Sequence, residues 1–195
     1  SLESIQEFGI TLDNAGINVV SAGDMNGDGF FDVAFGNPYA EKITLKEKSY
    51  HVGRLTVLLG GPNLPKLLDA NVPDPHLFSQ RGEADALIGS NITGNFDFND
   101  DGLSDLFNIS TRGGEDFKGQ AYIIFGKENL AEEKAPPRRF ILNHANRQIR
   151  FANDVNQDQL QDFLIADQDS SWLLLNQEEL GQNIDLTNLP DHIGI

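Results

Sequence analysis

Apolar residues in this chain come in short runs, each closed by Gly, Asn or Asp, and never at helical spacing over a useful length. Residues 17–22, 87–94 and 148–152 are half-apolar stretches. Residues 53–60, 119–126 and 171–176 are denser runs of Val, Ile, Leu, Tyr, Phe and Trp. Runs this short, rich in β-branched and aromatic residues and bracketed by turn formers, predict β-strands. A buried helix would need longer runs without the flanking Gly.

Between the two kinds of run lies a polar nonamer, and it occurs three times. The first is Asp24-Met-Asn-Gly-Asp-Gly-Phe-Phe-Asp32, the second Asp97-Phe-Asn-Asp-Asp-Gly-Leu-Ser-Asp105, and the third Asp154-Val-Asn-Gln-Asp-Gln-Leu-Gln-Asp162. An apolar continuation follows each. The first Asp stands at 24, 97 and 154, so the repeating unit is roughly sixty residues, room for about four strands and the size of one propeller blade. The longer first interval is assigned to the Pro-rich residues 62–75, expected to be a loop. Residues 127–139 read as a second solvated excursion, and residues 180–195 as an outer strand or tail without a fourth nonamer.

Within the nonamers the first, third, fifth and ninth places are Asp, Asn, Asp and Asp in every copy. Calcium is a hard cation that takes six to eight oxygen ligands. Four oxygen-bearing side chains and the backbone carbonyl of the seventh residue would nearly complete such a shell. The expected ligands are Asp24, Asn26, Asp28, Phe30 and Asp32 in the first loop. Asp97, Asn99, Asp101, Leu103 and Asp105 form the second set, and Asp154, Asn156, Asp158, Leu160 and Asp162 the third. Phe30, Leu103 and Leu160 would offer carbonyls while their side chains anchor the loop on the core.

A lone Asp-x-Asn-x-Asp-Gly could be no more than a turn, because these residues favour turns for their own reasons. Three copies with the same donors at the same places are hard to explain that way. Without a cation, each loop is expected to crowd three carboxylates together. At the sixth place Gly29 and Gly102 tolerate a left-handed backbone, whereas the third loop has Gln159 there and Gln157 at the fourth place. A side chain in that conformation costs on the order of 1 kcal/mol, so the third of the three calcium sites is expected to be the weakest. An EF-hand would place a bidentate Glu at the twelfth position, but Phe35, Asn108 and Ile165 stand there and the flanks read as strands. Magnesium, which keeps more of its waters, fits less well.

Composition sharpens this reading. The chain has 195 residues, enough for a domain with a core, and its 30 acidic against 14 basic residues give a net charge of −16. That balance argues against nucleic-acid binding, which needs a Lys/Arg surface. With no Cys there are no disulfides, thiolate metal sites or cysteine nucleophiles. No apolar run is long enough to span a bilayer and no signal-peptide pattern opens the chain. His51, His76, His144 and His192 are scattered. No nucleophile elbow, phosphate-cradling Gly loop or zinc-protease motif occurs. A glycosidase could use clustered carboxylates, but these are committed to a repeated loop, and repetition suits structure better than catalysis. The expectation is that the chain is not an enzyme. Arg81-Gly82-Glu83 reads as a surface turn, the sequons at Asn91 and Asn108 as chance, and Trp172 and the Phe residues as core.

The first nonamer with its Val-Ala-Phe-Gly-Asn-Pro continuation resembles the FG-GAP repeat of integrin α-subunit β-propellers and their bacterial relatives. Gly36-Asn37-Pro38 is similar to the Gly-Ala-Pro element of that repeat, Phe125-Gly126 to its Phe-Gly element, and Leu59-Gly60 is a looser copy. In the third repeat, Ala166-Asp167-Gln168 and Leu175-Asn176 have lost both. The resemblance runs from about Asn14 to Asn176. It implies an all-β fold of three consecutive four-stranded blades (about 14–80, 81–140 and 141–195), with calcium on one rim and ligands on the other. A family propeller has about seven blades, so this would be part of a larger propeller or a chain that self-associates to complete a ring. The resemblance also implies an extracellular or cell-surface protein that recognises a protein or carbohydrate ligand. The alternative is a non-catalytic accessory propeller domain of a secreted enzyme acting on polysaccharide or lipid.

Overall fold

A computed structural model describes residues 9–110, 112, 119–132, 138–141, 148–166, 171–175 and 183–185. His144, His192, Asp167, Gln168, Asn176 and most of the expected tail lie outside the described residues. In chain order the strands are β1 Thr11–Asp13, β2 Asn18–Gly23, β3 Asp32–Asn37, β4 Lys42–Leu45, β5 Lys48–His51, β6 Arg54–Leu58, β7 Leu67–Asp69 and β8 Leu77–Arg81. They continue as β9 Asn91–Phe96, β10 Asp105–Ser110, β11 Gln120–Ile124, β12 Arg138–Ile141, β13 Gln148–Asn153, β14 Asp162–Ala166, β15 Ser171–Leu174 and β16 Asn183–Asp185. One 3-10 turn spans Leu130–Glu132, and among the described residues no α-helix occurs.

Three meandering sheets follow the three repeats. The first has the order β2-β3-β6-β8, the second β9-β10-β11-β12 with β16 added in parallel outside β12, and the third β13-β14-β15. Neighbours within each meander are antiparallel. These are the blades of a β-propeller, and no strand of the first sheet pairs with the third among the described residues, so the ring is open.

Alternation along each strand sends its side chains to opposite faces, and both faces of the middle sheet are covered. Leu106 of β10 joins a core with Ala34, Leu55, Val57 and Ile92, between the first and second sheets. Its neighbours Phe107 and Ile109 join Phe96, Ile149, Phe163 and Ile165 between the second and third. That two-sided coverage explains why every residue of β10 is buried. Phe107 meets Phe163 edge-on at 5.3 Å, and Trp172 packs against the same cluster, as expected of a core aromatic. A smaller core of Leu58, Leu68 and Leu77 lies on the far face of the first sheet.

Two expectations need correction. The longer first interval is not explained by residues 62–75 alone, and that segment is not pure loop: β7 within it pairs in parallel with β1. The added length also contains a hairpin, β4–β5, inserted between β3 and β6. Nor is the excursion at 127–139 wholly solvated, for Leu130 is fully buried in the first core and β12 begins at Arg138.

Candidate calcium loops

Each nonamer connects the first two strands of its sheet, joining β2 to β3, β9 to β10 and β13 to β14. A register shift marks each junction, where the extended ladder gives way to the loop. All three loops wind the same way. The carboxylate of the first Asp accepts backbone N–H groups from across its own loop. Asp24 takes Gly27 at 2.7 Å and Gly29 at 2.9 Å, Asp97 takes Asp101 at 3.1 Å and Gly102 at 2.7 Å, and Asp154 takes Asp158 at 3.0 Å and Gln159 at 2.8 Å. The fifth residue accepts from the seventh, Asp28 from Phe30, Asp101 from Leu103 and Asp158 from Leu160, at 2.8 to 2.9 Å. The third residue's amide donates to the fifth: Asn26 to Asp28 at 3.0 Å, Asn99 to Asp101 at 2.9 Å and Asn156 to Asp158 at 2.8 Å.

The winding requires left-handed backbone at two places per loop. The sixth residues Gly29, Gly102 and Gln159 have φ of 87, 86 and 75°. The fourth residues Gly27, Asp100 and Gln157 have φ of 74, 56 and 63°. The first loop meets both demands with Gly, the second meets one, and the third meets neither.

The ninth Asp sits beneath the loop and is fully buried in all three copies, as Asp32, Asp105 and Asp162. Its Oδ2 accepts the N–H of the loop's second residue, from Met25 at 2.8 Å, Phe98 at 2.7 Å and Val155 at 2.8 Å. Its Oδ1 reaches the end of the sheet's third strand, accepting from Gly60 at 2.7 Å in the first sheet and Gly126 at 2.8 Å in the second. Burial pushes the Asp105 carboxyl up to about 7; the two N–H bonds oppose that rise, and nearby Asp101 and Asp97 add to it. Burial raises Asp32 likewise, with Asp28 and Asp24 contributing.

Two features depart from expectation. Among the described residues, no three carboxylates or imidazoles form a ready-made metal cluster, although Asp28 and Asp24 act on Asp32, and Asp101 and Asp97 on Asp105, through their charge. The first Asp is wrapped around its own backbone amides and the ninth is turned to N–H groups below. The seventh residue is also a poor anchor: Phe30 is 44% exposed, while Leu103 and Leu160 are half-buried. The second residue takes that role in the first two loops, where Met25 is 0% and Phe98 4% exposed. In the third loop Val155 makes the same N–H bond to the ninth Asp yet is 51% exposed. An apolar residue at that place in each copy was the available signal.

The residues nevertheless fit a hard cation. The oxygens of the first and fifth residues lie along one solvent-facing turn with the ninth carboxylate beneath. A half-turn of the Asn amide would set its Oδ1 where its N–H now meets the fifth carboxylate. Each carboxylate oxygen that accepts one N–H keeps a second lone pair. Calcium, with its flexible geometry, tolerates such an all-oxygen set.

The Phe-Gly and Gly-Ala-Pro elements acquire physical meaning here. A Cβ on Gly126 would lie 2.5 Å from the Ser104 carbonyl and 2.8 Å from Met25 O, and one on Gly60 would lie 2.5 Å from Phe31 O. A Cβ on Gly36 would lie 2.2 Å from the Gly89 carbonyl, where the first sheet meets the segment leading to the second. The first loop is also bonded to the second blade, with Ser104 N–H of the second loop donating to Asp24 O at 2.9 Å and Lys127 N–H, beyond β11, to Met25 O at 2.6 Å.

Fold and loops together define an open array of propeller blades. Residues 17–58, which hold the first nonamer and the first three strands of its sheet, match the family described as FG-GAP repeat. Over 115 residues, 59% of the chain, the sequence is 30% identical to integrin alpha-5 of Xenopus laevis. Over these stretches the chain is similar to an FG-GAP repeat and to an integrin α chain. It matches 10% of that relative's length. Among the described residues no helix is long and apolar enough to cross a membrane.

Proposed function

We propose that the chain is a calcium-binding, integrin-α-like propeller segment that serves adhesion or ligand recognition at the cell surface, with the ions in a structural role. The observation that carries this reading is the threefold recurrence of one oxygen-donor pattern in one backbone conformation. Asp24, Asn26, Asp28 and Asp32 would hold the first ion with the Phe30 carbonyl. Asp97, Asn99, Asp101 and Asp105 would hold the second with that of Leu103, and Asp154, Asn156, Asp158 and Asp162 the third with that of Leu160. Bound calcium supplies charge neutralisation and a rigid cross-link between the first two strands of each blade. Because such ions bind the folded loop and not the unfolded chain, they stabilise the fold by linkage.

A non-catalytic role follows from the same commitment of carboxylates to a repeated structural loop, and an extracellular setting from the likeness to an integrin α chain. Thermal melting with calcium and with a chelator tests the metal, and a mass measurement tests assembly. Calcium should raise the melting temperature by several degrees; a chelator-indifferent transition would remove the ion from the account.

A further inference from the structure

The β4–β5 hairpin leaves the first blade at the end opposite its calcium loop. The nonamer joins β2 to β3 at Asp32, whereas the hairpin is inserted where β3 ends at Asn37 and β6 begins at Arg54. Among the described residues it pairs only with itself, as a separate two-stranded sheet. Its charge is opposite in sign to that of the chain as a whole. Residues 42–51 hold three lysines and one glutamate in a protein of net charge −16. Glu41, just before it, is bound to Arg81 at 2.7 Å.

The register sorts these side chains. Lys42 stands opposite His51 and Thr44 opposite Ser49, so all four share one face. Beside that face Tyr39 is 63% exposed, its ring edge-on to His51 at 5.5 Å. His51 Nδ1 donates to the Tyr39 carbonyl at 2.9 Å, which fixes the aromatic pair. Thr44 and Ser49 hydroxyls are 3.4 Å apart. Lys46 and Glu47 form the tip at φ of 47 and 67°, and Lys48 stands on the other face.

We propose that this hairpin binds an anionic polysaccharide, a chain of pyranose rings carrying carboxylate or sulfate groups. Tyr39 offers an exposed ring for the apolar C–H face of a sugar, held at a set angle by His51. Thr44 and Ser49 offer paired hydroxyls to sugar hydroxyls. Lys42 on that face and Lys46 at the tip supply positive charge within an acidic chain, and over a Debye length of about 8 Å the local charges govern contact. The proposal deepens the recognition half of the reading above and is independent of its calcium half.

Binding of the whole chain to hyaluronate (carboxylate only), dextran sulfate (sulfate only) and neutral dextran tests it, by calorimetry in saturating calcium. One or both polyanions should bind and dextran should not. Replacing Lys42→Gln and Lys46→Gln together, or Lys42→Glu and Lys46→Glu, should weaken binding by about tenfold, the scale of a few exposed ion pairs. Tyr39→Ala should weaken it also, with melting temperatures unchanged in every variant. The proposal is overturned by no binding of either polyanion, by full affinity in the lysine or Tyr39 variants, or by poly-glutamate binding as tightly as the polysaccharides. Chelator melting reports separately on the calcium loops, so the two readings can fail one at a time.

Discussion

Gly126 N–H donates to Asp105 Oδ1 at 2.8 Å, and so the end of the second blade's third strand is fastened to the buried carboxylate that closes its nonamer. Gly60 makes the same bond to Asp32 in the first blade. The glycine is required because backbone crowds the space a Cβ would fill. Gly126→Ala should destabilise the fold by about 1–3 kcal/mol, the range for forcing extra atoms into packed structure. A urea-unfolding midpoint shift checks it. Gly102→Ala, where a Cβ would have open space but φ is 86°, should act through backbone strain alone and cost less, about 1 kcal/mol.

Asp105 gives the metal-free protein a distinct pH dependence. Its carboxyl titrates at about 7 in the folded chain against an ordinary 3.8, so between those values the folded state holds a proton the unfolded state has lost. Stability from this group is therefore full below about pH 4 and lost as pH rises through about 7. Asp32, raised in the same direction, adds to the slope. In chelator, melting temperature should fall from pH 5 to pH 8, and Asp105→Asn should flatten that fall. Calcium should oppose it, because the ion favours the ionised carboxylate as the proton leaves. A melting temperature in chelator that rises over this range in the parent chain would contradict the sign.

How much of this was legible in the sequence follows from which signals are local. The nonamers were legible because ligand-type side chains at alternate places mark the chain directly, and the left-handed sixth residue followed from Gly29 and Gly102. The blade strands were legible from short apolar runs. The β4–β5 hairpin was not, because its tip is Lys46-Glu47 and lacks the Asn-Gly or Gly that usually announces such a turn. Leu130 was missed because one apolar residue amid charged neighbours carries no period. The roles of Gly60, Gly126 and Ser104 depend on contacts between segments far apart in sequence, so no local pattern could display them. The carboxylates form no ready-made cluster for a similar reason: the ninth Asp bonds N–H groups both within its loop and beyond it.

The middle blade is the joint on which its neighbours depend, and the two faces of β10 separate the contributions. Phe107 is 1% exposed and packs with Phe163, Phe96 and Phe151 toward the third blade. Leu106 is fully buried toward the first. Phe107→Ala should cost about 3–5 kcal/mol and Leu106→Ala about 2–5 kcal/mol. Their effects should differ in place. Hydrogen exchange should rise in β13 and β14 for the Phe107 variant, and in β2 and β9 for the Leu106 variant. Identical exchange maps would mean that the blades unfold as one unit.

The third loop offers the sharpest test of how backbone conformation sets metal affinity. Its oxygen donors match those of the other loops, yet Gln157 and Gln159 both occupy left-handed backbone, at φ 63 and 75°, where the first loop has Gly27 and Gly29. Each side chain costs on the order of 1 kcal/mol there relative to Gly. Gly also enlarges the unfolded ensemble, so the net gain on replacement will be smaller. Gln159→Gly should nonetheless tighten calcium binding at this loop several-fold, and Gln157→Gly together with it should bring its affinity toward that of the first loop. The second loop, with Asp100 at φ 56° and Gly102 beyond it, should fall between them. Calorimetric titration of variants in which Asp24, Asp97 or Asp154 is replaced by Ala, removing one site at a time, would rank the three. Equal affinities at all three loops would show that the donor set alone governs binding and that left-handed backbone strain is released elsewhere in the fold.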